Sequence, residues 1–185
     1  MAVDQHAADE RVRLEKIQDD WKLHVSTHGS APNAAVQYSF DATQELSQLC
    51  EVQLGLLKFW GWTISIQEHC PNERLRCWVE VHTAPVIENR ILSASAFEEF
   101  LREVRRGGLR REFSATIQKE MESVACRYAI MFGDSLTQAE CESIISRLAK
   151  CRCPFQVACT RACPTDRSVC SPAETTYSAR MGDQV

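Results

Sequence analysis

The chain has 185 residues, ten cysteines and a formal net charge of −4 at pH 7. This size fits one domain with a tail, and the acidic balance argues against a generally basic nucleic-acid-binding protein. The N-terminus lacks the apolar stretch of a secretory signal, and no run is long enough to span a membrane. We therefore expect a cytoplasmic protein whose cysteines are thiols or metal ligands rather than disulfides.

The first predicted element is an amphipathic helix, because apolar side chains recur at helical spacing between charged residues from about Asp4 to His28. Gly29 is placed to end this helix, so residues 1–29 form one predicted segment. We expect its apolar stripe to be a candidate contact for a homo-oligomer. The stripe contains Leu14, Ile17, Trp21 and Val25.

Residues 30–40 are interpreted as a linker with at most a short extended segment. Asp41 or Thr43 then begins a helix that is predicted to reach about Trp60. Apolar residues cover more than half of its circumference, which indicates a helix buried between other elements. Cys50 lies on the apolar side and is interpreted as a small core residue.

A β-hairpin follows, since apolar and polar residues alternate from Trp62 to Gln67 and again from Leu75 to His82. Pro71-Asn72-Glu73-Arg74 supplies the chemistry of a turn between the two strands. Residues 85–91 are a candidate for a further strand. An isolated hairpin is only marginally stable, so its apolar face must pack against a helix.

Three more helices complete the prediction. Ser93 or Ser95 begins the first, with Ser95 and Glu98 spaced as a capping box, and Gly107-Gly108 ends it. The second runs from about Leu109 to Phe132. Thr137 and Glu140 form a capping box for the third. The residues expected to face inward are Phe97, Phe100, Leu101 and Val104, then Leu109, Phe113, Ile117, Val124, Tyr128 and Met131, then Cys141, Ile144, Ile145 and Leu148.

These elements predict an α+β fold that is mainly helical, with about five helices around one β-hairpin and a cysteine-rich, irregular C-terminal tail. The predicted organisation has an N-terminal helix over residues 1–29 and a core domain over residues 41–149. Residues 150–185 form the tail, which we expect to be partly disordered.

The tail is the first candidate for unusual chemistry, because half of the cysteines lie in it. Four thiolates can hold zinc in a tetrahedral site, although the spacing lacks the paired C-x2-C units of familiar zinc fingers. The alternatives are unliganded thiols, disulfides or lipid attachment. If zinc binds, the four best ligands are Cys151, Cys153, Cys159 and Cys163.

A second candidate is a run of five arginines at a helix junction, which predicts an RNA-binding surface as an alternative function. Acidic residues are interleaved with it, and pairs such as Glu98–Arg102 also indicate an ordinary solvated face. The arginines are Arg102, Arg105, Arg106, Arg110 and Arg111.

The hairpin tip is the third candidate. His69, Cys70, Cys77 and His82 are poorly placed for a four-ligand site, because His82 falls on the opposite strand face from Cys77. A nucleophile pair of Cys77 and His69 is a distant alternative, with no residue evident to orient it.

No phosphate-binding glycine loop, nucleophile elbow or H-E-x-x-H zinc motif is present. We therefore predict a small non-enzymatic interaction or regulatory protein with at least one protein partner and, through its tail, a zinc-binding capacity. An accessory, nonstructural product of a virus is the kind of protein that this combination suggests.

Overall fold

The computed structural model describes residues 3–69, 76–107 and 114–154. It confirms a mixed α+β fold that is mainly helical, with six helices in the described part of the chain rather than about five. The elements are α1 (Gln5–His28), β1 (Asn33–Ala42), α2 (Gln44–Val52), α3 (Leu54–Phe59), β2 (Thr63–His69), β3 (Arg76–Ile87), β4 (Arg90–Ile91), α4 (Ala94–Arg105), α5 (Ala115–Tyr128) and α6 (Gln138–Leu148).

The sheet is antiparallel, with β3 between β1 and β2 and the short β4 paired to the end of β3. The predicted hairpin of β2 and β3 is confirmed by its register, in which Ile66 lies opposite Val79. The predicted turn over residues 71–74 lies outside the described residues. Of the candidate strand over residues 85–91, the first part extends β3 and the last part forms β4.

The interpretation of residues 30–40 as a linker is wrong, because they contain most of the ten-residue strand β1. Phe40 of β1 lies opposite Val79, so β1 pairs with the free side of β3. Alternate residues of β1 are partly buried against the helices, which is the pattern of a strand with one wet face. The small residues of this segment weaken its alternation, and the pairing with β3 compensates for that.

The predicted long central helix is divided into α2 and α3, with Gln53 between them in a non-helical conformation. Thr43 is the N-cap, as one of the two predicted alternatives, and its side chain accepts a hydrogen bond from the backbone N–H of Leu46. The expectation that this segment is buried on most of its surface is wrong. Val52 is 78% exposed and Leu54 is also exposed.

One hydrophobic core lies between the sheet and the helices. Its centre is aromatic, with the ring of Trp62 4.6 Å from that of Phe97 and 6.1 Å from that of Phe100. The predicted position of Cys50 in this core is confirmed, and burial raises the pKa of its thiol to about 11, with a smaller contribution from Glu51. A thiol of this kind is a small apolar residue rather than a nucleophile.

Helix α1 ends at Gly29, whose φ of 74° is a left-handed conformation that glycine adopts without strain. Its apolar stripe lies in the same core as the aromatic cluster. The predicted homo-oligomer contact through this stripe is therefore wrong, because the side chains are covered by the protein itself. The covered residues are Leu14, Ile17 and Trp21.

Helix α4 begins at Ser93, whose side chain accepts a hydrogen bond from the backbone N–H of Ala96, and not at the predicted Ser95–Glu98 capping box. Its predicted inward face is confirmed. In α5 and α6 the prediction is only partly right. Ile117, Val124, Ile144 and Leu148 are buried, whereas Tyr128, Met131, Cys141 and Ile145 are exposed.

Met131 differs because α5 ends at Tyr128, so the residues that follow no longer continue its buried face. Leu109 and Phe113 lie outside the described residues. Helix α6 begins at the predicted capping box of Thr137 and Glu140. It packs a narrow stripe against Ala8 of α1 and leaves its other apolar residues in solvent. Among the described residues, no helix combines the length and apolar character needed to cross a membrane.

The N-terminus of α5 is held by Glu103 of α4. The Glu103 carboxylate accepts hydrogen bonds from the backbone N–H groups of Ala115 (2.8 Å) and Thr116 (3.0 Å) and from the Ser114 hydroxyl (3.0 Å). A carboxylate at this position satisfies free N–H groups and interacts favourably with the helix dipole. Glu103 therefore links α4 to α5.

We expect Glu103→Gln to lower the free energy of unfolding by about 1–2 kcal/mol, since it weakens charge-assisted hydrogen bonds at a helix N-terminus. Urea denaturation followed by circular dichroism measures the change. Glu98→Gln is the matched control, because Glu98 on the same helix makes only a surface pair with Arg102. The control should change stability by less than about 0.5 kcal/mol. Equal effects of the two substitutions would mean that Glu103 does not anchor α5.

Candidate metal centre

The predicted zinc ligands of the tail are only partly within the described residues. Cys151 and Cys153 lie just after α6, whereas Cys159 and Cys163 lie outside the described residues. The start of the tail is fixed to α1, because the Glu15 carboxylate accepts hydrogen bonds from the backbone N–H groups of Arg152 (2.7 Å) and Cys153 (3.1 Å). A zinc site in the tail stays a prediction.

The predicted RNA-binding arginines are also only partly described. Arg102 forms ion pairs with Glu98 (3.3 Å) and Glu99 (2.6 Å) on the exposed surface of α4. This arrangement agrees with the alternative interpretation, a solvated charged face. Arg110 and Arg111 lie outside the described residues.

The predicted nucleophile of the hairpin is not available for chemistry. Cys77 is 2% exposed and faces the interior, so no substrate can reach its thiol. The side chain of His69 and all of Cys70 lie outside the described residues. His82 is on the wet face of the sheet, where its Nε2 lies 2.8 Å from the Ser65 hydroxyl.

Three potential metal ligands converge elsewhere, between α1 and α5. They are His6 and Glu10 of α1 and Cys126 of α5, and one ligand atom from each lies within 4.8 Å of the other two. The Cys126 Sγ is 3.8 Å from the His6 Nε2. No other group of three or more such side chains meets this distance criterion in the part of the chain that the structure describes.

Local structure places the first two ligands. Asp4 caps α1, and its carboxylate accepts hydrogen bonds from the backbone N–H groups of His6 (2.9 Å) and Ala7 (3.1 Å). The helix therefore begins just before His6. Because residues four apart lie on the same face of a helix, His6 and Glu10 point in one direction.

Packing supplies the third ligand. Helices α1 and α5 lie against each other, and Val124 and Ala125 of α5 belong to the same buried core as Leu14 and Ile17 of α1. This contact brings Cys126 to the first turns of α1. The thiol and the imidazole that approach each other are 120 residues apart along the chain.

The tautomer of His6 is determined by its other ring nitrogen. His6 Nδ1 lies 2.8 Å from the carbonyl oxygen of Ile130, and a carbonyl can only accept a hydrogen bond. Nδ1 therefore carries the proton, and in the neutral ring Nε2 has a free electron pair on the side of Cys126. Metal-binding histidines are typically oriented in this way by a carbonyl or carboxylate behind them.

Glu10 is 3% exposed, and among the described residues its Oε1 atom has no hydrogen-bond partner. Burial raises the pKa of the Glu10 carboxyl, and the nearby His6, a hydrogen bond with Cys126 and the charge of Arg11 offset this effect only in part. A buried carboxylate oxygen without a donor is unfavourable. A cation bound beside it would supply the missing interaction, so the site fits a metal ion.

The donor set indicates which ions suit the site. One nitrogen, one carboxylate oxygen and one sulfur are typical ligands of Zn²⁺ and similar first-row ions. Mg²⁺ and Ca²⁺ prefer oxygen ligands alone. Three protein ligands also leave one position of a tetrahedral zinc site without a protein ligand from this set.

The site was missed in the sequence although a signal was present. His6-x3-Glu10 at the start of a helix places two metal ligands on one face, as does His24-x3-His28 at the end of the same helix. The rings of His24 and His28 stack 4.1 Å apart at the exposed end of α1. No third ligand joins them within the described residues. Nothing in the sequence near His6 indicates that Cys126 completes the other pair.

A surface cavity of about 480 Å³ lies beside this centre, between α1 and α6. The charged groups in its wall are already engaged with one another or with the backbone. Asp9 pairs with Arg13 and Arg147, and Glu140 accepts hydrogen bonds from Thr137. The charged side chains of the cavity wall therefore already have partners, which leaves few of them to bind a charged ligand.

Comparison with known proteins shows that the chain is similar to parts of DNA mismatch repair proteins. No family model matches it. The DNA mismatch repair protein MLH3 of Arabidopsis thaliana is 30% identical over 171 residues, an alignment that covers 84% of this chain and 14% of that protein. The DNA mismatch repair protein Mlh3 of Homo sapiens is 30% identical over 176 residues, which cover 84% of this chain and 12% of that protein. The DNA mismatch repair protein pms1 of Schizosaccharomyces pombe is 26% identical over 165 residues, which cover 89% and 19%.

The chain thus spans less than a fifth of the length of each of these relatives. The similarities overturn the predicted function of a viral accessory protein, since the relatives are DNA mismatch repair proteins of a plant, a human and a yeast. These relatives give no support to the alternative of an RNA-binding factor. The Cys77-dependent enzyme fails independently because Cys77 is buried.

Proposed function

We propose that the chain is a metal-binding module of a DNA mismatch repair protein, and that His6, Glu10 and Cys126 hold a zinc ion. The observation that carries this proposal is the convergence of the three side chains around a buried carboxylate oxygen with no hydrogen-bond donor among the described residues. The similarity to three DNA mismatch repair proteins over more than four fifths of the chain supports the part of the proposal that concerns DNA mismatch repair.

Each residue has a distinct role in this proposal. His6 offers Nε2, because its Nδ1 proton is held by the Ile130 carbonyl. Glu10 offers a negative charge that its surroundings neutralise only in part. Cys126 offers sulfur, and binding requires the thiolate, so zinc uptake releases a proton. The ring of Phe132 lies 4.8 Å from that of His6 and covers one side of the imidazole.

Hydrolysis of the DNA backbone is a second candidate function, and the three-ligand set favours it, because catalytic zinc sites typically keep a position for water or substrate. A divalent ion bound there would polarise a phosphoryl oxygen and lower the pKa of a bound water. This candidate opposes the sequence-based expectation of a non-enzymatic protein, which stays a prediction.

The proposal also bears on the expected protein partner, the location of the chain and the zinc of its tail. A protein partner is part of the proposal, since the chain presents three exposed apolar side chains within five residues at Tyr128, Met131 and Phe132. In this proposal the chain acts at DNA, and this location replaces the expectation of a cytoplasmic protein. Zinc in the cysteine-rich tail would be a second, separate site.

Native mass spectrometry of the full chain, purified under reducing conditions, tests the metal. We expect bound zinc, and one zinc fewer when His6 and Cys126 are both replaced by alanine. An unchanged zinc content would overturn the proposal. Incubation with supercoiled plasmid DNA tests the second candidate, which predicts nicked circles that disappear with a chelator. Bound zinc without nicking would eliminate hydrolysis by this chain and leave the metal-binding module.

A further inference from the structure

Ile130 is held by α1 through both of its backbone polar groups. Its carbonyl oxygen accepts the hydrogen bond from His6 Nδ1 at 2.8 Å, and its N–H donates to the Asp9 carboxylate at 3.1 Å. The two side chains are three residues apart on α1 and therefore lie near one another on its surface. Together they clamp a single residue of the segment that follows α5.

The carbonyl half of this clamp acts directly on the proposed ligand. It holds the Nδ1 proton and so directs the free electron pair of Nε2 towards Cys126, 3.8 Å away. If Ile130 turned, the imidazole would lose its acceptor and could adopt the other tautomer, with a proton on Nε2. A protonated Nε2 cannot bind a metal. The orientation of Ile130 therefore matters for the metal centre.

The Asp9 half of the clamp is itself firmly positioned. Asp9 is 1% exposed, and its carboxylate also contacts Arg13 Nε (2.6 Å) and Arg147 (3.5 Å). A buried carboxylate held by two cations and an N–H group has little freedom to move. Asp9 does not belong to the group of convergent ligands, so its contribution to the metal must be indirect.

A second side chain acts on the same segment. Gln5 donates hydrogen bonds from its Nε2 to the carbonyl oxygens of Met131 (3.0 Å) and Asp134 (3.1 Å). The segment is thus tied to the start of α1 at several points, and of these contacts only the one from Asp9 is to the residue whose carbonyl His6 uses. Asp9 and the His6 imidazole are therefore connected through one residue, Ile130.

We propose that Asp9 is a positioning residue of the metal centre, which orients the Ile130 carbonyl and thereby selects the His6 tautomer that binds metal. This inference rests on the proposed zinc site. Asp9 lies between His6 and Glu10 in the sequence and is not one of the proposed ligands. In this role it acts on the metal centre without touching a ligand atom.

Zinc affinity, measured by competition with a chelating dye, tests the inference. We expect Asp9→Ala to lower the affinity about 10- to 100-fold, as is typical when a residue behind a metal ligand is removed. Asp9→Asn keeps an acceptor for the Ile130 N–H and should recover part of the loss. Arg147→Gln is the matched control, because it removes a partner of Asp9 without touching Ile130, and should stay within about threefold of the wild type.

A second readout does not depend on metal. Long-range ¹H–¹⁵N NMR of the zinc-free protein reports which nitrogen of His6 carries the proton. We expect the Nδ1–H form in the wild type and in Arg147→Gln, and a mixture of both tautomers in Asp9→Ala and Asp9→Asn. If Asp9→Ala does not fold, Asp9→Asn and the control still decide the outcome.

The possible failures are distinguishable. A wild-type chain that binds no zinc at His6 contradicts the proposed function. Wild-type zinc binding, with affinity and tautomer unchanged in the Asp9 variants, overturns the positioning role and leaves the metal site in place. An equal loss in Arg147→Gln and Asp9→Ala also overturns it, because the effect would then come from the docking of α6.

Discussion

Replacing His6 by alanine is expected to lower the affinity for Zn²⁺ by more than about 100-fold, a loss larger than that for a residue behind a ligand, because it removes one of three protein ligands. In the wild type, zinc at 100 times its dissociation constant should raise the free energy of unfolding by about 2.7 kcal/mol. The His6→Ala variant should gain almost nothing at the same concentration. Thermal or urea unfolding with and without zinc measures both quantities.

Two variants make this comparison specific. Cys126→Ser should reproduce the loss and also remove the thiolate-to-metal charge-transfer band seen when Co²⁺ replaces zinc. His24→Ala is the matched control, because His24 lies on the same helix, is half-buried and stacks on His28 near the other end of α1. If His24→Ala weakens zinc binding as much as His6→Ala, the metal is bound elsewhere.

Phe97→Ala should cost about 3–5 kcal/mol of stability, the range for removing a fully buried aromatic ring. Phe97 is 0% exposed, and its ring lies 4.6 Å from that of Trp62 and 5.8 Å from that of Phe40. It therefore joins α4 to β1 and to the residue that precedes β2. Since small domains are stable by about 5–15 kcal/mol, this change removes a large part of the total.

Chemical denaturation followed by tryptophan fluorescence measures the effect, because Trp62 reports on the same cluster. Tyr128→Ala is the control, since Tyr128 is a large aromatic residue on the surface. It should change the free energy of unfolding by no more than about 0.5 kcal/mol. A loss for Phe97→Ala that is no larger than the control would show that the aromatic cluster is not the centre of the core.

Several features of the fold are local, and the sequence was sufficient to predict them. The Thr43 cap and the Thr137–Glu140 capping box depend on residues within one helical turn. The β2–β3 hairpin follows from two alternating runs separated by turn residues. Helical spacing also identified the buried face of α4. In each case the physical cause acts over a few residues and is visible as a pattern.

The errors occur where a distant partner decides the structure. Residues 33–42 have a weak strand pattern and become β1 because the open side of β3 is available to them. Met131 continues the apolar spacing of α5 but is exposed, because the helix ends before the segment that Gln5, His6 and Asp9 hold. The stripe of α1 is buried in this chain itself rather than in a second copy.

The sequence by itself determined the class of fold, most of the helix positions and the hairpin of this protein. It also contained the helical pair His6 and Glu10, since their spacing alone places them on one face of α1. Only the tertiary structure decided that Cys126 joins them and that Ile130 orients the imidazole. The reason is that a site assembled from α1 and α5 depends on how two helix faces pack, and that packing is set by the whole core. Residues 120 positions apart leave no common pattern along the chain.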